Sequence, residues 1–174
     1  SYESLQMGEK YYGVPWIVDV YCVLYRPDIF EAAGYMEFPT TQDEFFQACQ
    51  TIHEETGITP YYIGAADIYN ELFSYAYQSG SDIVTEDRTA VFNQPEYIEA
   101  MEYLESFYEA GLADRVIDGV ANYVKLANGE IAACFGGTWE ISQMETVEEL
   151  EGKWAAALWP KGAATNDSVY AGSN

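Results

Sequence analysis

The chain has 174 residues, 29 acidic and 7 basic, for a formal charge of −22. That charge excludes nucleic acid and anionic membrane surfaces as docking partners, because both present phosphates that repel it. Aromatic residues make up 16% of the chain, led by 16 tyrosines, which points to a folded core rather than a disordered tail, and the length suits one domain of ordinary size.

Residues 13–25, GVPWIVDVYCVLY, are rich in β-branched and aromatic side chains and predict a strand. Asp19 interrupts its apolar run. An acid is costly to bury without a partner, so Asp19 belongs at an opening. A short helix follows over about 27–33, with Pro27 suited to its first position and Gly34 to the place just past its end. Thr41 and Glu44 then have capping-box spacing. Phe45, Ala48, Cys49 and Ile52 recur at i, i+3, i+4 and i+7, which predicts an amphipathic helix closed by Gly57.

TPYYIGA (59–65) reads as a short strand running into the polar corner ADIYNE (66–71), and residues 70–79 as a helix ended by Gly80. The alternating stretch 81–95 predicts an edge hairpin. The long helix after it starts at Pro95, keeps Tyr97, Met101, Leu104 and Tyr108 on one face, and stops at Gly111. A further helix is expected over about 118–127, a strand over 130–135, a helix from TWEISQME, and a last strand over 154–160. KGAATND (161–167) is the one linker-like stretch. Strands alternating with helices define an α/β class.

Little in this pattern suggests catalysis. His53, the one histidine, falls on the exposed flank of a helix beside Glu54 and Glu55, with no nucleophile context. Cys22, Cys49 and Cys134 lie far apart in apolar surroundings, without C-x-x-C, and read as buried free thiols. Neither a zinc site nor a calcium loop is expected. The adjacent acids Glu54/Glu55 and Glu148/Glu149 do not face each other on a helix. A pair brought together across the chain, Asp67 with Glu140, is the one glycosidase arrangement left open. No apolar run reaches the roughly 20 residues of a membrane helix. Both ends read as interior positions of a longer chain.

Residues 129–142, GEIAACFGGTWEIS, carry the strongest signal. Gly136-Gly137 between a strand and a helix resembles a phosphate turn, but neither G-x-x-x-x-G-K-[ST] nor G-x-G-x-x-G is present. Thr138 is expected to cap the helix, and Glu140 in the first turn suits the positive end of its dipole. Trp139 then stands at the C-terminal edge of the sheet, where open α/β sheets bind ligands. Its ring either faces a sugar or packs as a core corner; the local sequence supports both readings. In ADIYNE, Asp67, Tyr69 and Asn70 offer groups suited to a polyhydroxyl ligand, and an N-cap with its first helical turn accounts for them equally well.

Several phrases resemble, in order, the extracellular solute-binding proteins of ABC sugar importers, the maltose-binding-protein-like family. They are YYGVPWIVDVYCVLYRPDIFEAAG, FPTTQDEFFQACQTI, FNQPEYIEAMEYLESFYEAGL, NGEIAACFGGTWEIS, and WAAALWPKG with YAGSN, covering about Tyr11 to Asn174. The resemblance implies one lobe of a type II periplasmic-binding-protein fold, a central mixed sheet flanked by helices. Residues 19–160 would form the second lobe. Residues 1–18 would be hinge or first-lobe sequence, and 161–174 the return toward the first lobe. It implies ligand contacts from Trp139, Tyr69, Asp67 and Asp19, beside which Asn70, Tyr21 and Glu140 stand as further candidate ligand-binding residues. It further implies a carbohydrate ligand, with a non-sugar solute as the alternative that some members of the family carry, without catalysis or cofactor, a permease partner, a monomer, and an extracellular site, periplasmic or on the cell surface as a lipoprotein anchored outside this stretch. Gly119 departs from the family, which has a cleft tyrosine near this position in its maltose-binding members.

Overall fold

The computed structural model describes residues 5–14, 16, 20–64, 68–81, 83–85, 87–113 and 121–162, with the backbone alone at 68–70. Asp19, Asp67 and Gly119 lie outside the described residues, as do the side chains of Tyr69 and Asn70. In chain order the elements are β1 (Gln6–Met7), β2 (Lys10–Tyr11), β3 (Tyr21–Tyr25), α1 (Pro27–Ala32), α2 (Gln42–Thr56), β4 (Tyr61–Tyr62), α3 (Ile68–Gln78), α4 (Pro95–Glu109), α5 (Asn122–Asn128), β5 (Ala133–Gly137), α6 (Thr138–Met144), a 3-10 turn (Glu148–Leu150) and β6 (Ala155–Ala157).

The central sheet has the order β4-β5-β3-β6. β3 runs antiparallel to both β5 and β6, and β4 runs parallel to β5, so the sheet is mixed. β1 and β2 form a separate two-stranded hairpin. Side chains alternate across a strand, and here that alternation divides the molecule into two cores. Val23, Ala133 and Phe135 face Phe45, Ala48, Cys49, Ile52, Tyr75, Tyr97, Leu104 and Phe107 from α2, α3 and α4. Cys22, Leu24 and Cys134 face Leu126, Met144 and Leu150 on the other side. Rings meet edge-to-face or tilted through the first core, as in Phe45–Tyr61 and Tyr61–Phe107 at 5.0 and 5.1 Å. The three cysteines are free, and burial pushes their thiols up.

The α2 capping box is formed as its spacing predicts. Thr41 Oγ1 accepts from Glu44 N at 3.2 Å, and Glu44 Oε2 accepts from Thr41 N at 3.1 Å. Bonds from Thr40 and Thr41 hold the Glu44 carboxyl below its usual value. Gly57 closes the helix with φ 75°.

Several expectations change. In the stretch 13–25 the strand covers 21–25 with Val20 in a bridge just before it, while 15 and 17–19 lie outside the described residues. The hairpin expected over 81–95 is short: an antiparallel bridge from Val84 to Ala90 is flanked by bonds from Val91 N to the Ile83 carbonyl and from Thr85 N to the Thr89 carbonyl, both 2.9 Å, with 82 and 86 outside the described residues. The last strand shrinks from 154–160 to 155–157. The buried face of α4 is Tyr97, Ala100, Leu104 and Phe107, with Met101 exposed. His53 is half-buried rather than solvated, and its Nδ1–H donates to the Ile58 carbonyl at 2.6 Å. It thereby ties the end of α2 to the segment entering β4.

Arg26 joins the two sides. Its guanidinium makes a bidentate pair with Asp28 (2.8 and 2.7 Å), and Nη1 donates to the Leu126 carbonyl at 2.8 Å, capping the last turn of α5. The hydrogen bonds from Arg26 hold the Asp28 carboxyl below the usual carboxylate range. A depressed carboxylate contributes stability above its unfolded value, and that contribution disappears as pH falls through the folded value. Asp28→Asn is therefore expected to lower the urea midpoint at neutral pH and to match the parent at about pH 2. A gap of equal size at both pH values contradicts the ion pair's role. Phe45→Ala is expected to cost about 3–5 kcal/mol, against about 1 kcal/mol for Thr41→Ala, both read from denaturant unfolding.

Candidate functional site

The site is built where β5 passes directly into α6. The turn has no intervening loop, and the two glycines make it possible. A Cβ on Gly136 would lie 2.4 Å from Leu24 Cδ1 and 2.6 Å from Glu140 Oε2. A Cβ on Gly137 would lie 2.2 Å from Trp139 Cζ3. The glycines therefore clear space for a carboxylate and an indole, not for a phosphate. Gly137 is the N-cap and Thr138 the first helical residue, which corrects the expectation that Thr138 caps the helix. Glu140 Oε2 accepts from Gly137 N at 2.9 Å in the capping role.

Trp139 is 45% exposed, so its ring is not a core corner. Tyr21, the first residue of β3, approaches it edge-on at 5.1 Å and stacks on Phe135 at 4.8 Å. Phe135 continues inward to Trp159 at 5.1 Å. Beside this wall lies a cavity of about 320 Å³, bordered by Trp139, Phe135, Tyr62, Glu71, Asn122 and Glu140, among others.

The polar groups of that cavity are fixed in place. Asn122 Nδ2 donates to both Glu140 Oε1 and the Phe135 carbonyl, and its Oδ1 accepts from Tyr123 N at 2.8 Å. Glu71 on α3 is 2% exposed. Burial, with the charge of Glu71 adding to it, pushes the hydroxyls of Tyr61 and Tyr75 up. Lys125 on α5 holds Tyr62 from outside, its Nζ 5.8 Å from the ring centroid.

Of the expected site residues, Trp139, Tyr21 and Glu140 come together here. Asp19 and Asp67 lie outside the described residues, and so do the side chains of Tyr69 and Asn70. Glu140 places Oε1 on Asn122 and Oε2 on Gly137 N, and its partner in the glycosidase alternative, Asp67, lies outside the described residues. Sequence reasoning missed Asn122, Glu71, Tyr62 and Phe135. The tyrosine pair before Gly64 was the available signal for one of them, since β4 ends there at the same sheet edge as β5.

A mixed sheet covered on both faces, with a ring-lined cavity at the C-terminal ends of β4 and β5, defines an α/β ligand-binding unit. The family model for bacterial extracellular solute-binding proteins matches residues 1–174, and the chain belongs to that family. The fold is similar to the sugar-binding protein MalE from Xanthomonas citri, with a TM-score of 0.86, 22% identity, and coverage of 98% of this chain and 45% of that one. It is also similar to an ABC transporter solute-binding protein from Thermotoga lettingae bound with α-D-tagatose (TM-score 0.81, 25% identity, 98% and 46% covered). Among curated proteins, the diacetylchitobiose binding protein DasA of Streptomyces coelicolor is 32% identical over 85 residues, 49% of this chain and 20% of that protein. The chain spans less than half the length of these solved relatives.

Gly137→Ala is expected to displace the indole, because the new methyl occupies the place of its six-membered ring. The Trp139 contribution to the fluorescence spectrum then shifts and the melting temperature falls. An unchanged spectrum and melt would contradict the packing of the indole on Gly137.

Proposed function

We propose that the chain is the second lobe of a two-lobed solute-binding protein of an ABC importer, and that it captures a carbohydrate between lobes for delivery to the permease. Residues 19–160 form the lobe, with 1–18 and 161–174 as crossover or first-lobe sequence. The observation that carries the reading is Trp139: a half-exposed indole, held at the sheet edge beside a cavity with a carboxylate, an amide and phenols in reach. The flat apolar face suits the C–H face of a sugar ring, and the fixed polar groups suit its hydroxyls. The relatives' names, a sugar-binding protein, a tagatose-bound protein and a diacetylchitobiose binder, support the same ligand class.

The action is binding without chemistry. Ligand contacts from both lobes stabilise a closed arrangement, and closure about the crossovers commits the ligand. Tyr69, Asp67, Asn70, Asp19 and Tyr21 complete the ligand contacts in this proposal, with Glu140 positioning its neighbours. The family's description supports an extracellular location, and we place the monomeric protein in the periplasm or on the cell surface as a lipoprotein.

A ligand that binds only the native state raises the melting temperature. The full-length protein is expected to gain several degrees with one class among a panel of mono- and oligosaccharides, and Trp139→Ala to lose that gain while remaining folded. No gain across the panel overturns the carbohydrate reading. The 174-residue chain alone supplies half the contacts, so its binding is expected to be weaker than millimolar; millimolar or tighter binding contradicts a two-lobe site.

A further inference from the structure

α5 carries three of the groups that border the cavity: Ala121 at its N-cap, then Asn122 and Tyr123. It has seven residues and no side chain caps its start. A helix that short does not keep its place through its own bonds. Asn122 fixes its first turn, donating to the Phe135 carbonyl at 3.0 Å. Arg26 fixes its last turn, although it is 9% exposed and does not border the cavity. Arg26 Nη1 donates to the carbonyls of Leu126 and Ala127 at 2.8 and 3.4 Å, two of the acceptors that a helix end leaves without a helical partner. A cation there also suits the negative pole of the helix. The guanidinium is itself locked. Its Nε and Nη2 donate to the two oxygens of Asp28, and the Arg26 backbone N–H donates to the Ala132 carbonyl at 2.9 Å, one residue before β5. Leu126 lies one turn beyond Asn122 on the same buried face, so a shift at the Arg26 end is carried to Asn122 and Tyr123.

We infer that Arg26, locked by Asp28, is a positioning residue for ligand binding: from outside the cavity it sets where α5 presents Asn122 and Tyr123. The inference rests on the carbohydrate reading of this cavity and adds a remote residue that tunes its affinity. All three guanidinium nitrogens are used, two on the carboxylate and one on the helix end. Lysine, a point charge without the fork, cannot hold both partners in this geometry. A residue that only stabilised the fold would leave the affinity of the folded protein unchanged. One that positions α5 alters it, and does so through Asn122.

The test is calorimetric titration of the full-length protein with glucose, maltose, cellobiose and N,N′-diacetylchitobiose. For any probe that binds the parent, Arg26→Met is expected to weaken binding by about tenfold. Adding it to Asn122→Ala should cost less than about threefold more, because both changes act through one side chain. Arg26→Lys should fall between Arg26→Met and the parent. Thr41→Ala, which lowers stability at the start of α2, should bind as the parent does. Affinity of Arg26→Met within about twofold of the parent overturns the inference, and so do fully additive effects with Asn122→Ala. So does an equal loss in Thr41→Ala, since affinity would then follow stability alone. If Arg26→Met does not fold, Asp28→Asn at a half-exposed side chain unlocks the guanidinium and is expected to weaken binding in the same direction; unchanged affinity there overturns the inference. Hydrogen exchange over 121–129 reads the same device without ligand and should quicken at least about tenfold in Arg26→Met or, failing that, in Asp28→Asn. If no probe binds the folded parent, the carbohydrate reading fails, and this exchange still decides whether Arg26 positions α5.

Discussion

The carboxylate of Glu140 is the constraint on which the site depends. One oxygen accepts from Gly137 N and fixes the turn out of β5; the other accepts from Asn122 and fixes α5. Asn122 is saturated in turn, donating to Glu140 and to the Phe135 carbonyl while its own oxygen accepts from Tyr123 N. Hydrogen bonds to a charged group contribute about 1.5–3 kcal/mol each, enough to hold a strand end and two helices in one arrangement. Within that frame the indole of Trp139 lies directly on Gly137, where any side chain would push the ring out of place. The exposed ring is thus held rigidly from behind, which is what a stacking surface for a ligand requires.

The rest of the fold supplies rigidity to this corner. α5 is gripped at both ends: Asn122 at its start meets β5 and α6, and Arg26 caps the carbonyls of Leu126 and Ala127 at its close. Tyr123, between them, is one of the residues bordering the cavity. On the far side of the sheet, the aromatic core reaches the same corner through Tyr75, Trp159 and Phe135. The site therefore rests on both cores at once, and the sheet edge between them is where its groups converge.

Much of the frame was legible because it depends on local chemistry. The Thr41–Glu44 box, Pro27 and Pro95 at helix starts, and Gly57 in a left-handed closing position each follow from one or two residues. The face of α4 was less so. Tyr97, Met101, Leu104 and Tyr108 make as regular a stripe as Tyr97, Ala100, Leu104 and Phe107, and only packing against α3 and the sheet selects the second. Strands were over-read for a similar reason: β-branched and aromatic runs continue past the residues that find a partner. Within the site, GGTW announced the turn and its ring. Glu71 and Asn122 gave no such notice. In a chain with 29 acids a buried glutamate looks like a solvated one, and an asparagine acquires its meaning from a carboxylate 18 residues away.

The central claim is that Trp139 forms the stacking wall of a carbohydrate cleft. A crystal structure of the full-length protein with the sugar that stabilises it most tests this directly. The account predicts a sugar ring parallel to the indole at van der Waals distance, about 4 Å, with its hydroxyls toward the cavity bordered by Asn122 and Glu71. A sugar ordered elsewhere, with the indole facing empty solvent, would contradict it.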